Sequence, residues 1–451
     1  MQIGKNMLRD TTPASVETKA NVFNMSVEEK DRRELCIKNR DFFYDRSKQY
    51  LNLINSDVDP SVLNIVAPII KKKVSLLYNR PLVREFKGPS KSVSFLKSFY
   101  GQYKIDRFLR NVDLAAELTG TGLVFVGRDE AKTYLRIYDA ADFSVIEKED
   151  DQEDIDAVSL VSVKTVLEGK NPKDPQARRF LDTQIWTNDS IVEYQDGVRS
   201  VVKANELGVL PFVAFKGEEV YNQFLGHAPA TSIVNLNSDI NQQLTNINYM
   251  VKMQAGSPIA ITGFERGEGL QVHPGLAISL PVGAKAEVLQ FNPKIADSLA
   301  IIQFLEQKIY EHSSIPKISI VGDSEATSGK QLQIKWSPLI NVFKEKSSRY
   351  ENYELNLANM ILKVNNLPEI QSIAVKYPEE NILPLTDDVA DIQILMEMGL
   401  TTPIEQMMRM NPYMTETEAE AEVRANVEFN KSINPEPDIL AKGNKVAGPQ
   451  I

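Results

Sequence analysis

The feature that most constrains the fold is the stretch 231–252, where a narrow apolar stripe lies under an almost uncharged polar coat. The coat is Asn, Gln, Ser and Thr, and its charged residues are Asp239 and Lys252. A lone surface helix usually carries many charges, so this coat indicates packing against copies of the chain or the lining of a wet passage. An ordinary buried helix explains the stripe equally well. The stripe steps by three or four residues: Ile233, Leu236, Ile240, Leu244, Ile247 and Val251.

A second striped helix follows a glycine-rich insert, 256–292. Asn292 provides an N-cap and Pro293 occupies the first helical position, and the stripe continues to Pro316. The sequence therefore predicts two long helices joined by a small β-rich cap. The insert contains three strand-like runs, Pro258–Thr262, Leu276–Leu280 and Ala286–Phe291.

The sequence before the two long helices and their insert predicts helices followed by a meander of strands. Helical patterns cover Val27–Leu51, then Val62 to a stop near Pro81, and about Ser92–Thr119. Short runs with period-two alternation follow between Leu123 and Phe215, separated by Asp, Asn and Gly turns. The fold class is therefore α+β.

The chain after this unit predicts mainly helices. A loop at 317–329 leads into a very long helical pattern, Lys330–Asn365, with a kink expected at Pro338. Three shorter helices are expected near the end: Asp387–Met398, Thr402–Met410 and Thr415–Asn430.

The two ends of the sequence are polar. The first 26 residues are interpreted as a flexible arm and residues 431–451 as a disordered tail.

Charge and motif content argue against several classes of function. Lys and Arg number 51 against 61 Asp and Glu, a net charge of −10, whereas a tight nucleic-acid binder would carry a basic excess. The single Cys36 excludes an internal disulfide, and no stretch approaches the roughly 18 apolar residues of a membrane span. No zinc, Walker A, dinucleotide, nucleophile-elbow or kinase motif is present. The sequence predicts no catalytic, cofactor or metal site, and the acidic run 147–156 is interpreted as a solvated turn.

Three stretches combine helix, stop and strand in a distinctive order: Asn64–Pro81 with its Tyr-x-x-Pro stop, Glu117–Val126, and Gly208–Phe215. They resemble the early helix, the wing and the strand before the stem in the portal proteins, or head-to-tail connectors, of tailed bacteriophages. The resemblance covers about residues 28–430. Four further matches to the family pattern lie at Ser238-Asp239, Ser328–Leu332, Gly399–Pro403 and Asn411–Thr415.

This resemblance implies a portal-like subunit in a ring, commonly dodecameric, at one vertex of a capsid. Its two rods would be the stem and its β-rich insert the clip. The implied parts, in chain order, are a wing over 27–228, stem helices at 229–254 and 293–315 around a clip at 255–292, a tunnel loop at 316–330, a long kinked helix and return to the wing at 331–384, and a helical crown at 385–430.

The resemblance also assigns candidate residues to three surfaces. A polar or acidic tunnel loop would let DNA pass, whereas a continuous basic lining would hold it by counterion release. The DNA-facing loop residues are Lys317, Asp323, Ser324, Glu325, Thr327, Ser328 and Lys330. The clip residues facing terminase or an adaptor are Glu265, Arg266, Glu268, Lys285 and Glu287. The stem residues are Asp239, Asn241, Asn248, Lys252, Lys294 and Glu306.

The implied partners are further copies of the chain, the terminase large subunit, the major capsid protein and scaffold, connector or tail proteins, and double-stranded DNA in transit. No membrane and no cofactor is implied, and the location is the portal vertex of a virion assembled in the host cytoplasm. Two other interpretations stay open: a different virion or scaffold protein, and an enzyme whose site is assembled from distant residues. Ring formation distinguishes them.

Overall fold

The computed structural model describes residues 27–53, 58–129, 132–168, 176–196, 198–255, 259–262, 283, 285–288, 295–317, 320, 329–377, 396, 401–411 and 414–433. Its helices are α1 Val27–Phe43, α2 Val66–Ser75, α3 Ser90–Tyr103, α4 Ile105–Thr119, α5 Ala230–Ala255, α6 Ile295–Ser313, α7 Gly329–Val364, α8 Pro403–Met410 and α9 Glu416–Ile433. Its strands are β1 Val83–Lys87, β2 Thr121–Asp129, β3 Lys132–Asp139, β4 Phe143–Glu147, β5 Ile155–Glu168, β6 Gln176–Thr187, β7 Ser190–Gln195, β8 Val198–Ala204, β9 Phe212–Lys216, β10 Ile259–Thr262, β11 Lys285–Val288 and β12 Ser372–Lys376.

The strands form antiparallel sheets of very different size. The order is β3-β2-β9 in one sheet and β4-β5-β6-β7-β8 in another, and two separate pairs join β1 with β12 and β10 with β11. Strand β1 precedes β12 by about 290 residues, so this pair ties the segment after α7 back to the first helices. The β10–β11 pair joins the two ends of the glycine-rich insert.

Strand β2 separates two hydrophobic cores. Val124 and Val126 face the larger core, which contains α2, α4, α5 and α7. Leu123 and Phe125 face the smaller core, between this sheet and the five-stranded sheet. Successive side chains of a strand point to opposite faces, so the continuous apolar run of β2 reflects burial on both sides.

The turn between α4 and β2 requires a glycine. Gly120 has φ 87°, and its N–H donates to the Ala116 carbonyl at 2.9 Å to close the helix. A Cβ atom at this position would lie 2.3 Å from the Gly226 carbonyl oxygen. Only glycine combines the left-handed φ with such a close approach.

Two long helices, α5 and α6, and the β10–β11 pair lie where the sequence predicts helices and strands, the strands β4–β8 form a meander, and four details are corrected. The stretch Ser92–Thr119 is two helices because Lys104 adopts a left-handed φ of 52°. Helix α1 ends at Phe43 instead of continuing to Leu51, and a short 3-10 turn, Ser47–Tyr50, follows. Helix α2 begins at Val66, not at Val62. Strands β1 and β12 were not predicted.

The helices α8 and α9 each begin with a capping box, a reciprocal pair of hydrogen bonds between side chain and backbone. The Thr402 hydroxyl accepts from the Glu405 N–H, and Glu405 returns the bond to the Thr402 N–H. Thr415 and Glu418 form the same reciprocal arrangement at α9. Helix α7 stays helical through Pro338. No helix in the described ranges is both long enough and apolar enough to cross a membrane.

Several predicted segments lie outside the described residues. They are the arm at 1–26, the strand at 276–280, nearly all of the loop at 318–328, the helix at 387–398 apart from Met396, and the tail at 434–451. The acidic run 147–156 is described, and its central residues 149–154 are an exposed turn between β4 and β5, as predicted.

Candidate assembly interface

Helices α5 and α6 pack against each other as two long rods. At 1.5 Å per residue, the 26 residues of α5 span about 39 Å and the 19 residues of α6 about 29 Å. The first half of α5 is anchored in the larger core through Ile233, Val234 and Ile240. On α6 the equivalent anchor is Ile309, close to its C-terminal end. The opposite ends of both rods therefore project from the core toward the β10–β11 pair.

The projecting part of this helix pair exposes large apolar side chains. Phe304 is 58% exposed, Ile301 47% and Leu299 46% on α6, and Val251 is 46% exposed on α5. Burying such a side chain stabilises a protein by roughly 1.5–3 kcal/mol, so a partner that covers these side chains would stabilise the helix pair. The exposed side chains lie on different sides of α6, because 301 and 304 are about 140–200° around the helix from 299 at 100° per residue. The α5–α6 pair is therefore suited to neighbours on more than one side.

One face of α5 is covered by an extended segment of its own chain, residues 58–65. Asn237 accepts from the Ile65 N–H at 3.0 Å and donates to the Leu63 carbonyl at 2.8 Å. Asn241 accepts from the Leu63 N–H at 2.8 Å. Thr245 accepts from the Ser61 N–H at 3.1 Å. The side chains of α5 thus replace the missing partner strand of segment 58–65.

These hydrogen bonds form a ladder between α5 and segment 58–65, and the spacing of the ladder follows from backbone geometry. Four residues of a helix rise about 6 Å, and two residues of an extended chain rise about 6.6 Å. Positions 237, 241 and 245 therefore keep step with positions 65, 63 and 61. The three α5 side chains are buried. For this face, the expectation of contact with neighbours or a wet passage is wrong, because segment 58–65 covers it.

The ladder continues beyond its buried centre. The Gln242 amide exchanges two hydrogen bonds with the main chain of Asn52, both at 3.0 Å. Asn248 donates to the Ser61 hydroxyl, and Lys252 pairs with Asp59 at 2.7 Å. The predicted stem residues Asn241, Asn248 and Lys252 therefore all bind the chain's own N-terminal part.

The C-terminal end of α6 meets the predicted loop at an ion pair. Lys317 Nζ lies 2.9 Å from Glu306 Oε1, and this hydrogen bond raises the pKa of Lys317. A cleft of about 600 Å³ lies beside the pair, between the end of α6 and Pro338 of α7. A predicted stem residue and a predicted loop residue are thus brought together, and the ion pair fixes the point where the loop leaves α6.

The remaining predicted residues are not brought into one site. Asp239 is exposed on α5, and Lys285 is exposed at the start of β11. Glu287 lies on β11 and Lys330 in the first turn of α7, where the structure describes the backbone alone. Nine lie outside the described residues: Asp323, Ser324, Glu325, Thr327, Ser328, Glu265, Arg266, Glu268 and Lys294.

A cluster of charged side chains lies inside the core that supports α5 and α6. Lys346 of α7 is buried and contacts Asp113 Oδ1 and Glu117 Oε1 of α4, each at 2.8 Å. The Tyr350 hydroxyl donates to Asp113 Oδ1 at 2.6 Å. Lys73 of α2 lies 3.8 Å from Glu117 Oε2. Lys73, the last of three consecutive lysines at 71–73, is thus buried against α4.

Burial and charge act differently on the two carboxylates of this cluster. Desolvation by burial raises the pKa of Asp113 to about 6, although Lys346 opposes the shift. Burial also acts on Glu117, but there Lys346 and Lys73 outweigh it and lower the pKa. Asp113 is therefore the member of the cluster that takes up a proton in mildly acidic solution.

A second buried cluster follows two turns further along α7. Glu354 is fully buried and pairs with Arg84 of β1. The Tyr377 hydroxyl donates to Glu354 at 3.1 Å, and Arg84 also pairs with Asp106 of α4 at 2.7 Å. Positions 346, 350 and 354 of α7 lie on one face, so polar contacts fix this helix against α2, α4 and β1. Within the described ranges, no group of three or more His, Cys, Asp or Glu side chains is arranged to hold a metal ion.

Comparison with known proteins decides the family. The family model for phage portal proteins of the SPP1 Gp6-like type matches residues 59–424, which is most of the 451-residue chain. The chain belongs to this portal protein family. The family is structural, and the role it assigns is that of a portal-type component of the virion. No curated protein matches the chain.

Two solved structures of gene transfer agents are similar to this portal protein. A chain from the neck of an empty GTA particle, computed with C6 symmetry, has a TM-score of 0.46 and 12% identity, covering 77% of this chain and 90% of that chain. A chain from the virion of a native gene transfer agent particle has a TM-score of 0.43 and 11% identity, covering 76% and 89%.

Proposed function

We propose that this portal protein assembles into a ring, commonly dodecameric in this family, through the α5–α6 pair. The observation that carries the proposal is the exposed apolar surface of α6, with Phe304 58% exposed and Ile301 47% exposed. A subunit that leaves such side chains uncovered gains stability when a neighbouring copy covers them. Because the exposed residues lie on different sides of α6, each subunit can contact two neighbours, and such heterologous contacts form a ring when the rotation between subunits closes.

The ring would serve as the channel for packaging and ejection of double-stranded DNA. In this arrangement residues 27–228 form the wing, α5 and α6 the stem, 255–292 the clip and 385–430 the crown. The loop at 316–330, anchored by the Lys317–Glu306 ion pair, faces the DNA. The acidic net charge of −10 suits a conduit, because a polyanion passes such a surface without the counterion release that holds it on a basic one.

The clip would contact terminase during packaging and adaptor or tail proteins afterwards, while the wing and stem are held by the capsid shell. In this role the protein is a docking platform and carries no catalytic site. The candidate contact residues Glu265, Arg266 and Glu268 lie in the sequence between β10 and β11.

Negative-stain imaging of the purified full-length protein tests ring formation. We expect rings with an axial channel, and their rotational symmetry gives the subunit number. Monomers at every concentration, or turnover of a nucleotide by such monomers, would contradict the portal function.

A packaging assay tests the role of the loop in DNA passage. The variant Asp323→Lys/Glu325→Lys adds basic charge to the loop, and we expect it to slow genome filling. The matched control is Asp150→Lys/Asp151→Lys, which makes the same change of charge in the exposed β4–β5 turn. Equal filling by both variants and the wild type would show that the loop does not contact DNA.

A further inference from the structure

The outer edge of β9 carries main-chain groups that are not used by the sheet. Strand β9 pairs with β2 along one side. Just beyond the two ends of this pairing, the Gly217 N–H donates to the Gly120 carbonyl at 2.8 Å and the Val126 N–H donates to the Pro211 carbonyl at 2.9 Å. Antiparallel pairing alternates, so Val213 and Phe215 also bond to β2. The main chains of Phe212, Ala214 and Lys216 therefore point away from it.

These groups form one wall of a groove of about 530 Å³, whose other wall is α7. Asn356 and Lys363 line the α7 side and are exposed. Tyr353 also lines the groove, and its hydroxyl bonds to the Lys216 backbone and donates to Glu219 at 2.6 Å. No hydrogen bond from another described residue occupies the outward main-chain groups of Phe212 and Ala214.

We propose that this groove binds an extended peptide that adds a strand to β9, and that its occupant is the N-terminal segment of the same chain, residues 1–26. An open strand edge beside a helix offers main-chain hydrogen bonds on one side and side-chain contacts on the other. Covering the edge also prevents its pairing with other chains.

The start of α1 places this segment close to the groove. Glu29 of α1 accepts from the Ser144 hydroxyl of β4 at 2.6 Å. Three residues further along β4, about 10 Å away, Glu147 accepts from the N–H of Phe224 at 2.9 Å. Phe224 lines the groove. A chain of 26 residues reaches up to about 86 Å when extended, so the N-terminal segment has ample length.

The charges of the two parts are complementary. Residues 1–26 contain three cationic side chains and two acidic ones, in a chain whose net charge is −10. The groove presents Glu153 and Glu369 as exposed carboxylates against the exposed Lys363, and Lys216 is held by the Gln223 carbonyl at 3.1 Å. The N-terminal segment is therefore attracted to the groove. Its charged residues are Lys5, Arg9, Asp10, Glu17 and Lys19.

Disulfide trapping in the full-length protein tests the proposal. Asn356→Cys, in the groove, is combined in turn with Thr12→Cys, Val16→Cys and Lys19→Cys. A disulfide forms only when the two Cα atoms come within about 7 Å of each other. The native Cys36 is buried, so its background is low. We expect an intrachain disulfide between position 356 and at least one position of the N-terminal segment.

The matched control is Ser348→Cys on the same helix. Ser348 is exposed and does not line the groove. It lies eight residues, or about 12 Å, before Asn356 along α7, which is beyond the reach of a disulfide to a segment seated in the groove. We expect the N-terminal cysteine that traps at position 356 not to trap at position 348.

The second measurement removes one main-chain N–H donor of β9 that points away from β2. Ala214→Pro deletes an N–H that points into the groove and leaves the bonds to β2 intact, so we expect the trapped fraction to fall about fivefold, as for the loss of one hydrogen bond. Ala214→Val keeps the donor and should trap like the parent. Disulfides between chains, equal trapping at 348 and 356, or no trapping at any of the three positions would overturn the proposal. If Ala214→Pro does not fold, the comparison of disulfide trapping at positions 356 and 348 still tests the proposal, because those variants keep Ala214.

Discussion

The α5–α6 pair and the core around α7 distribute their side chains in opposite ways. In the core, the buried Lys346 and Asp113 pair with each other, and the buried Glu354 pairs with Arg84 and accepts from the Tyr377 hydroxyl. On the helix pair, Phe304 and Ile301 remain about half exposed. The difference shows that the core is complete within one chain, whereas the α5–α6 pair needs further copies to bury its surface. A rigid body with fixed polar contacts thus carries an interface that becomes stable in the assembly.

The largest expected effect on the stability of one subunit comes from removing the buried cation. Lys346→Met leaves Asp113 and Glu117 without their shared partner, so we expect the free energy of unfolding to fall by about 3–5 kcal/mol. Urea denaturation measures the change. Lys344→Met is the control, because Lys344 is exposed on the same helix. Equal stability of the two variants would show that the buried charges do not hold the core.

The ladder between α5 and segment 58–65 should have the next largest effect. Asn241→Ala removes a buried amide and leaves the Leu63 N–H without its acceptor, which costs about 1–3 kcal/mol of unfolding free energy. Gln243→Ala is the control on the same helix, since none of the described contacts of Gln243 is a hydrogen bond. If both variants lost the same stability, these hydrogen bonds would not be what stabilises the packing of segment 58–65 on α5.

A smaller, pH-dependent effect should come from Asp113. Its folded-state pKa of about 6 lies above the ordinary value of 3.8, so the folded protein binds this proton more tightly than the unfolded chain does. The resulting stabilisation is complete below about pH 3.8 and is lost as the pH rises through 6. Between pH 7 and pH 5 the wild type should therefore gain about 1 kcal/mol relative to Asp113→Asn. Parallel stability curves for the two proteins would contradict a raised pKa.

The smallest effect on stability is expected at the exposed ion pair between Lys317 and Glu306, near the C-terminal end of α6. Lys317 and Glu306 both contact solvent, and such pairs contribute at most about 1 kcal/mol. Lys317→Ala should change the unfolding free energy by less than that amount in urea denaturation. A loss of unfolding free energy as large as that of Lys346→Met would contradict the view that charged contacts stabilise the core far more than the end of α6.

The regular parts of the fold could be predicted from the sequence because each follows a strict period. The stripes of α5 and α6 and the alternation of the strands are present in the structure. Segment 58–65 was predicted to be helical from Val62 onward, since its residues have helical spacing. It is extended because α5 supplies hydrogen bonds to its main chain, and no local pattern in 58–65 carries that information.

The charged core was also missed, although a signal existed. Lys346 and Glu354 lie at helical spacing from Tyr350, on the apolar side of α7. A charge on an apolar face indicates a buried partner, but the partners Asp113 and Glu117 are more than 200 residues away in the sequence. Strands β1 and β12 were missed for the same reason, because each is stabilised by a partner about 290 residues away in the sequence.

The mass of the assembled particles tests the central claim most directly. Mass photometry of the wild type should show a ring of many subunits, and Ile301→Asp/Phe304→Asp should give folded monomers. The control Val198→Asp/Val202→Asp changes two valines of β8 that are 71% and 53% exposed, and it should still form the ring. A wild type that stays monomeric, or an α6 variant that assembles as well as the control, would contradict an interface built on the α5–α6 pair.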